Sequence, residues 1–248
     1  MIKRTIERSQ RLIKKMLGVK YQPTMIEKCA SFVACEKLYG SYYEFGTYQG
    51  DSFIDAFKAL SSKIISRANH DTYLGYPTEY LDRIKIWDEM KFYAFDSFEG
   101  LPELADTDVG THDFKAGQYQ YDEDSFKNRV SKNGVDLCKV VTVPGWFSDT
   151  CSEESSALLD LDKAVIIWID CDLYSSASDV MRLVNRIIQD GTILIFDDWF
   201  THRGHPERGV QKAFYEWSGA ALIQEHWQVN EYTTENWARK AFIVNRRE

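Results

Sequence analysis

Two pairs of carboxylates stand where buried strands should end. The run VIIWID leads into Asp170-Cys171-Asp172, and the run TILIF leads into Asp197-Asp198. Acids held close together repel, and each costs several kcal/mol to desolvate unpaired. A hard divalent cation relieves both penalties, since carboxylate oxygens suit magnesium, calcium or manganese. The competing reading is a set of solvated strand ends and helix caps. Two strands ending in paired acids favour the metal.

Other polar residues close similar runs. Glu44 lies in YYEFG, which opens the glycine-punctuated stretch EFGTYQGDS. Glycines at 46 and 50 would let a ligand approach the backbone, and the helix start that follows favours an anionic group. The spacing is not the dinucleotide fingerprint and lacks the lysine of a phosphate loop. Asp51 reads as the cap of that helix. Asp96 ends FYAFD, where an acid can accept both hydroxyls of a ribose or cap a helix. Gly145 and Trp146 follow VVTVP.

The elements that must position these residues follow from five apolar runs, at 42–46, 92–97, 140–145, 165–170 and 192–196. They lack alternation, as strands covered on both faces do. Helix-like stretches at 51–60 and 176–188 separate some of them, so a doubly wound α/β sheet is expected. Ligands of such sheets bind outside the carboxyl ends of the strands. Segments 221–229 and 238–245 read as a closing antiparallel pair. Residues 66–90 read as an inserted loop and helix, and 103–125 as an acidic, Gly- and Tyr-rich lid. His112, His202 and His205 lie in the lid and in the loop THRGHPERG, and read as solvated loop histidines.

The 248 residues carry a formal net charge of -8, which argues against nucleic acid as a partner. The charge is uneven. The first twenty residues hold seven Lys/Arg against one Glu and read as a basic amphipathic helix that packs on the domain or a second subunit, with a membrane-surface or partner contact as the alternative. That helix lacks the apolar core of a secretory signal. No run approaches the ~20 apolar residues of a membrane span. Five cysteines without a C-x-x-C pair support neither a disulfide framework nor zinc, so reduced thiols and a cytoplasmic setting are expected. Two units follow: a basic extension over 1–24 and one domain over 25–248.

The motifs EFGTYQGDS, FYAFDSFEGLPE, PGWFSDT, IIWIDCDLYSS and DGTILIFDDWF, then GVQKAFYEW, resemble in this order the macrocin O-methyltransferase family. The resemblance spans roughly residues 25–245. It implies a Rossmann-like fold with a mostly parallel seven-stranded sheet, helices on both faces, S-adenosylmethionine (SAM) and Mg²⁺ as cofactors, and a sugar hydroxyl as acceptor. It places Glu44, Gly46, Tyr48 and Gly50 at the methionine moiety of SAM. Asp96, Ser97 and Phe98 fall at the ribose, and Gly145, Trp146 and Phe147 near the adenine. It assigns the metal to Asp170, Asp197 and Asp198, with Asp170 also beside the cofactor, and makes Asp172 the general base. It also implies a homo-oligomer. Asp51 and Ser148 depart from the family pattern.

Other readings remain at this level. The D-x-D of Asp170 and Asp172 also resembles glycosyltransferase and phosphatase motifs, but those leave the glycine turn idle. A non-catalytic SAM-fold subunit is opposed by the complete acid set. A catechol acceptor would chelate a metal as a sugar diol does.

Overall fold

The computed structural model describes residues 22–108 and 114–248. The basic segment over 1–20 and His112 lie outside the described residues. Five parallel strands form the centre: β1 (Ser41–Phe45), β2 (Phe92–Asp96), β3 (Val140–Pro144), β4 (Ala164–Ile169) and β5 (Thr192–Phe196). β6 (Trp227–Glu235) and β7 (Arg239–Arg246) close one edge, giving the order β3-β2-β1-β4-β5-β7-β6 with β7 antiparallel to both neighbours.

Every residue of β1, β4 and β5 is buried. Successive side chains point to opposite faces, so each strand feeds two cores. On one face Tyr42, Phe92, Ile166, Trp168 and Ile195 meet α1 (Met25–Glu36), α2 (Asp51–Tyr73) and α3 (Pro77–Glu89). On the other, Tyr43, Phe95, Ile167, Ile169 and Phe196 meet α7 (Tyr174–Ile187) and α8 (Gly209–Gly219). Covering both faces explains the missing alternation. Helix α7 presents Ala177, Val180, Met181, Val184 and Ile187, the 3–4 spacing of one helical face. The remaining helices are α4 (Glu123–Lys132), the short α5 (Phe147–Thr150) and α6 (Glu153–Leu158), and α9 (Ala221–His226).

Three expectations need correction. Residues 66–90 are not a loop and helix: α2 runs on to Tyr73, and α3 starts at Pro77, where a proline suits the first helical turn. The helices are locked by a buried ion pair between Asp71 and Arg83, whose guanidinium also donates to the Ala34 carbonyl. The closing antiparallel pair forms, but its first strand starts later than expected: Ala221–His226 is a helical turn, α9, and β6 begins at Trp227. Segment 103–125 is not irregular to its end, because Asp122 caps α4 by accepting from the Ser125 amide at 2.9 Å. No helix among the described residues is long and apolar enough to cross a membrane. The cysteines are free, with Cys29, Cys151 and Cys171 buried.

Candidate active site

The chain reverses its build direction between β1 and β4, and the ends of these strands form the switch point. The first residue past each strand continues the ladder. Gly46 donates to Phe95 O, Asp170 to Phe45 O, Asp197 to Ile169 O and Gly145 to Asp96 O, at 2.9 to 3.0 Å. Strand pairing thus lines up the polar residues along one edge. Gly46 is required there twice over. Its φ is 85°, and a Cβ would lie 1.9 Å from the Asp170 carbonyl oxygen.

A cavity of about 760 Å³ opens at this edge. Its walls include Gly46, Tyr48, Asp96, Ser97, Trp146, Phe147, Asp170, Asp172, Asp197 and Asp198. Those expected site residues are brought together. Glu44, Gly50, Phe98 and Gly145 sit behind the walls. Glu44 is fully buried, accepting from Ser52 Oγ at 2.6 Å and from the Tyr42 hydroxyl. Burial pushes its carboxyl up to about 8 against the hydroxyl bonds that oppose this. Phe98 packs on Phe126, and Gly50 faces Phe126 and Val130.

Asp96 organises the glycine turn. One oxygen accepts from Thr47 N at 2.6 Å and Tyr48 N at 3.1 Å, and the other from Phe98 N at 2.8 Å. Asp51 does not cap α2. Gly50 is the cap residue, and Asp51 turns outward to pair with Arg129 at 2.5 Å.

Asp170, Asp197 and Asp198 each place a carboxylate oxygen within 4.8 Å of the others. Burial, then the charges of Asp197 and Asp198, raise the Asp170 carboxyl well above the usual range. Burial, then Asp172 and Asp197, push Asp198 up to about 8. Asp198 Oδ2 is buried without a hydrogen-bond partner. This orphaned oxygen in an all-carboxylate donor set fits a hard divalent cation. Asp172 has a left-handed backbone, φ 58°, which turns the chain from β4 into α7 beside Asp198.

Several wall residues lay outside the sequence reading. Leu101, Glu103, Ala105 and Tyr119, from the loops after β2, are among them. Tyr119 and Tyr121 meet Tyr48 edge-on, with ring centroids 5.7 and 6.0 Å away. Asp108, nearly buried, accepts from the Ser175 amide at 3.1 Å. It thereby serves the start of α7, whose cap residue Leu173 offers no side-chain bond. Ser175, Ser176 and Asp179 of α7 also line the cavity. The expectation of solvated histidines holds for His205 but not His202. His202 is buried against Gly209 and lines a separate, smaller hollow.

This sheet order, with only β7 reversed and a cavity at the strand ends, defines a Rossmann-like α/β fold. The model of the family described as Macrocin-O-methyltransferase (TylF) matches residues 78–237. The 8-demethyl-8-(2,3-dimethoxy-alpha-L-rhamnosyl)-tetracenomycin-C 4'-O-methyltransferase of Streptomyces olivaceus is 24% identical over 224 residues, 85% of this chain and 75% of that one. Among solved structures, the O-methyltransferase NovP superposes with a TM-score of 0.61 at 18% identity, over 89% of this chain and 78% of its own. The calicheamicin methyltransferase CalS11 gives 0.56 at 18% identity, over 88% and 76%. The chain belongs to the macrocin O-methyltransferase family, and it is an O-methyltransferase.

Proposed function

We propose that the chain transfers the methyl group of SAM to a hydroxyl of a sugar-bearing small molecule, with a divalent cation held by Asp170, Asp197 and Asp198. The observation that carries this reading is the aspartate trio beside the Gly46 turn in one cavity. The Streptomyces relative, whose name specifies a rhamnosyl 4'-hydroxyl, supports a sugar acceptor. Structural neighbours described as holding SAM or S-adenosylhomocysteine support the cofactor.

The residues divide the work. The Gly46–Tyr48 turn receives the amino-acid end of SAM, with Glu44 and Gly50 shaping it from behind. Asp96 and Ser97 face the ribose, backed by Phe98. Trp146 and Phe147, placed by the Gly145 turn, offer flat apolar surface to the adenine. When bound, the cation lowers the pKa of the acceptor hydroxyl and orients it. Asp172 takes the hydroxyl proton as the oxygen attacks the methyl carbon, and the thioether leaves neutral without an acid. The lid, with Tyr119 over the site, keeps water from the sulfonium. Among the described residues the walls carry seven carboxylates and no Lys, Arg or His. That charge favours an uncharged acceptor over one bearing phosphate.

Calorimetric titration of SAM tests the reading directly. Micromolar binding is expected in the wild type and its loss in Asp96→Ala, and Mg²⁺-dependent methylation of glycosides is expected in a screen of sugars and catechols. Failure to bind SAM with or without Mg²⁺ overturns the reading. Turnover of catechols alone overturns the sugar.

A further inference from the structure

Asp197 differs from its two companions. Among the described residues it alone of the trio has a basic partner. The antiparallel pairing of β5 and β7 sets Phe196 opposite Lys240, so Arg239 stands one step along, beside Asp197. Arg239 Nε donates to Asp197 Oδ1, and Nη1 lies 3.4 Å from Glu235 Oε2. The guanidinium carbon lies 5.2 Å from the ring centroid of the buried Trp168 on β4. An arginine held by two carboxylates and an aromatic face has little freedom to swing away.

From this arrangement we propose that Arg239 is a positioning residue of the metal site, which confines Asp197 to one ligand oxygen and so selects a small six-coordinate cation over a larger one. The inference rests on the metal reading above. The physical step is short. A free carboxylate offers two oxygens, and Ca²⁺, with six to eight ligands, accepts bidentate acids readily. Mg²⁺ needs near-octahedral geometry and keeps its waters. A second cation will not approach an oxygen already facing a guanidinium, so Asp197 offers only Oδ2. Arg239 is not among the residues that line the cavity. It acts only through Asp197.

Titration calorimetry with Mg²⁺ and Ca²⁺ on the intact wild type, Arg239→Met and Arg239→Lys tests this. Removing a positive charge strengthens the attraction of both divalent ions by the same factor. Charge alone therefore leaves the ratio of the two affinities unchanged. Freeing the second oxygen moves the ratio toward Ca²⁺, by about tenfold in Arg239→Met, the scale on which residues behind metal ligands act. Arg239→Lys keeps the charge but loses the rigid fork, and shifts the ratio in the same direction by less. It carries the test if the Met variant does not fold, which circular dichroism checks. A wild-type ratio in a folded variant overturns the proposal and leaves the metal site standing. A wild type that binds neither ion overturns both.

Discussion

Replacing Glu44 with glutamine should make the protein more stable at neutral pH while leaving its structure intact. Glu44 is fully buried, and its carboxyl is pushed from an ordinary 4.5 to about 8, chiefly by desolvation. The sign follows from linkage. Between these two values the unfolded chain holds an ionised Glu44 and the native chain a protonated one, so the native state binds the extra proton. Stability due to this group is complete below pH 4.5 and falls as pH rises toward 8, by ~1.4 kcal/mol per pH unit. From pH 5 to pH 7 that amounts to ~3 kcal/mol. A neutral carboxyl carries one acceptor oxygen and one O–H donor. Glutamine presents the same pattern to Tyr42 and Ser52, whose hydroxyls accept as readily as they donate. Urea unfolding of wild type and Glu44→Gln at pH 5, 6 and 7 isolates the effect, since the other acids are common to both. The two proteins should be close at pH 5, and the variant should lead by a growing margin above it. A difference that does not change with pH would refute the reasoning and mean that Glu44 is ionised in the fold.

Three further perturbations probe the frame around the site. Gly46→Ala adds a Cβ against the Asp170 carbonyl at a left-handed position. The backbone strain alone costs ~1–3 kcal/mol, and calorimetry should show SAM binding lost with it. Asp108→Ala removes the side chain that serves the Ser175 amide, costing ~1 kcal/mol as a lost cap does. It should raise the acceptor KM while the Kd for SAM stays unchanged, and an equal rise in both would show that the Asp108 contact to α7 does not act on the acceptor side of the cavity. Asp71→Ala leaves Arg83 buried without its carboxylate and should cost ~3–5 kcal/mol in urea unfolding. A loss under ~1 kcal/mol would mean that the pair adds nothing to the packing of α2 on α3.

The central strands and the acids at their ends were legible in the sequence because one physical fact produces both. A strand buried on both faces seldom carries a charged residue before it emerges, Glu44 of β1 being the exception here, so the first carboxylates after VIIWI and TILIF mark the sheet edge. The glycine turn was legible for a related reason, since Gly46 must let the Asp170 carbonyl approach. Residues 66–90 were misread because hydrophobic periodicity sees only apolar contact. Of α3, only Arg83 and Ile86 are buried, and the Arg83 contact is an ion pair with Asp71 of α2. Two charges that neutralise each other inside a helix pair look, in sequence, like a polar surface.

The residues that sequence reasoning missed share a different property: each is defined by a partner far along the chain. Asp108 matters through the amide of Ser175, Tyr119 through Tyr48, and Arg239 through Asp197. No local pattern announces such a pairing, which exists only once the strands have taken their order. Arg239 shows this most clearly. Its neighbour Ala238 lies in an ordinary hairpin turn and Lys240 in the strand that follows, and only the reversal of β7 against β5 carries Arg239 to the carboxylate trio. The acids of the trio repel, and burial and their mutual charge hold the Asp170 and Asp198 carboxyls above the usual range. β7, the last strand in the chain and the neighbour of β5, is thus the one that brings the opposing charge to this end of the sheet.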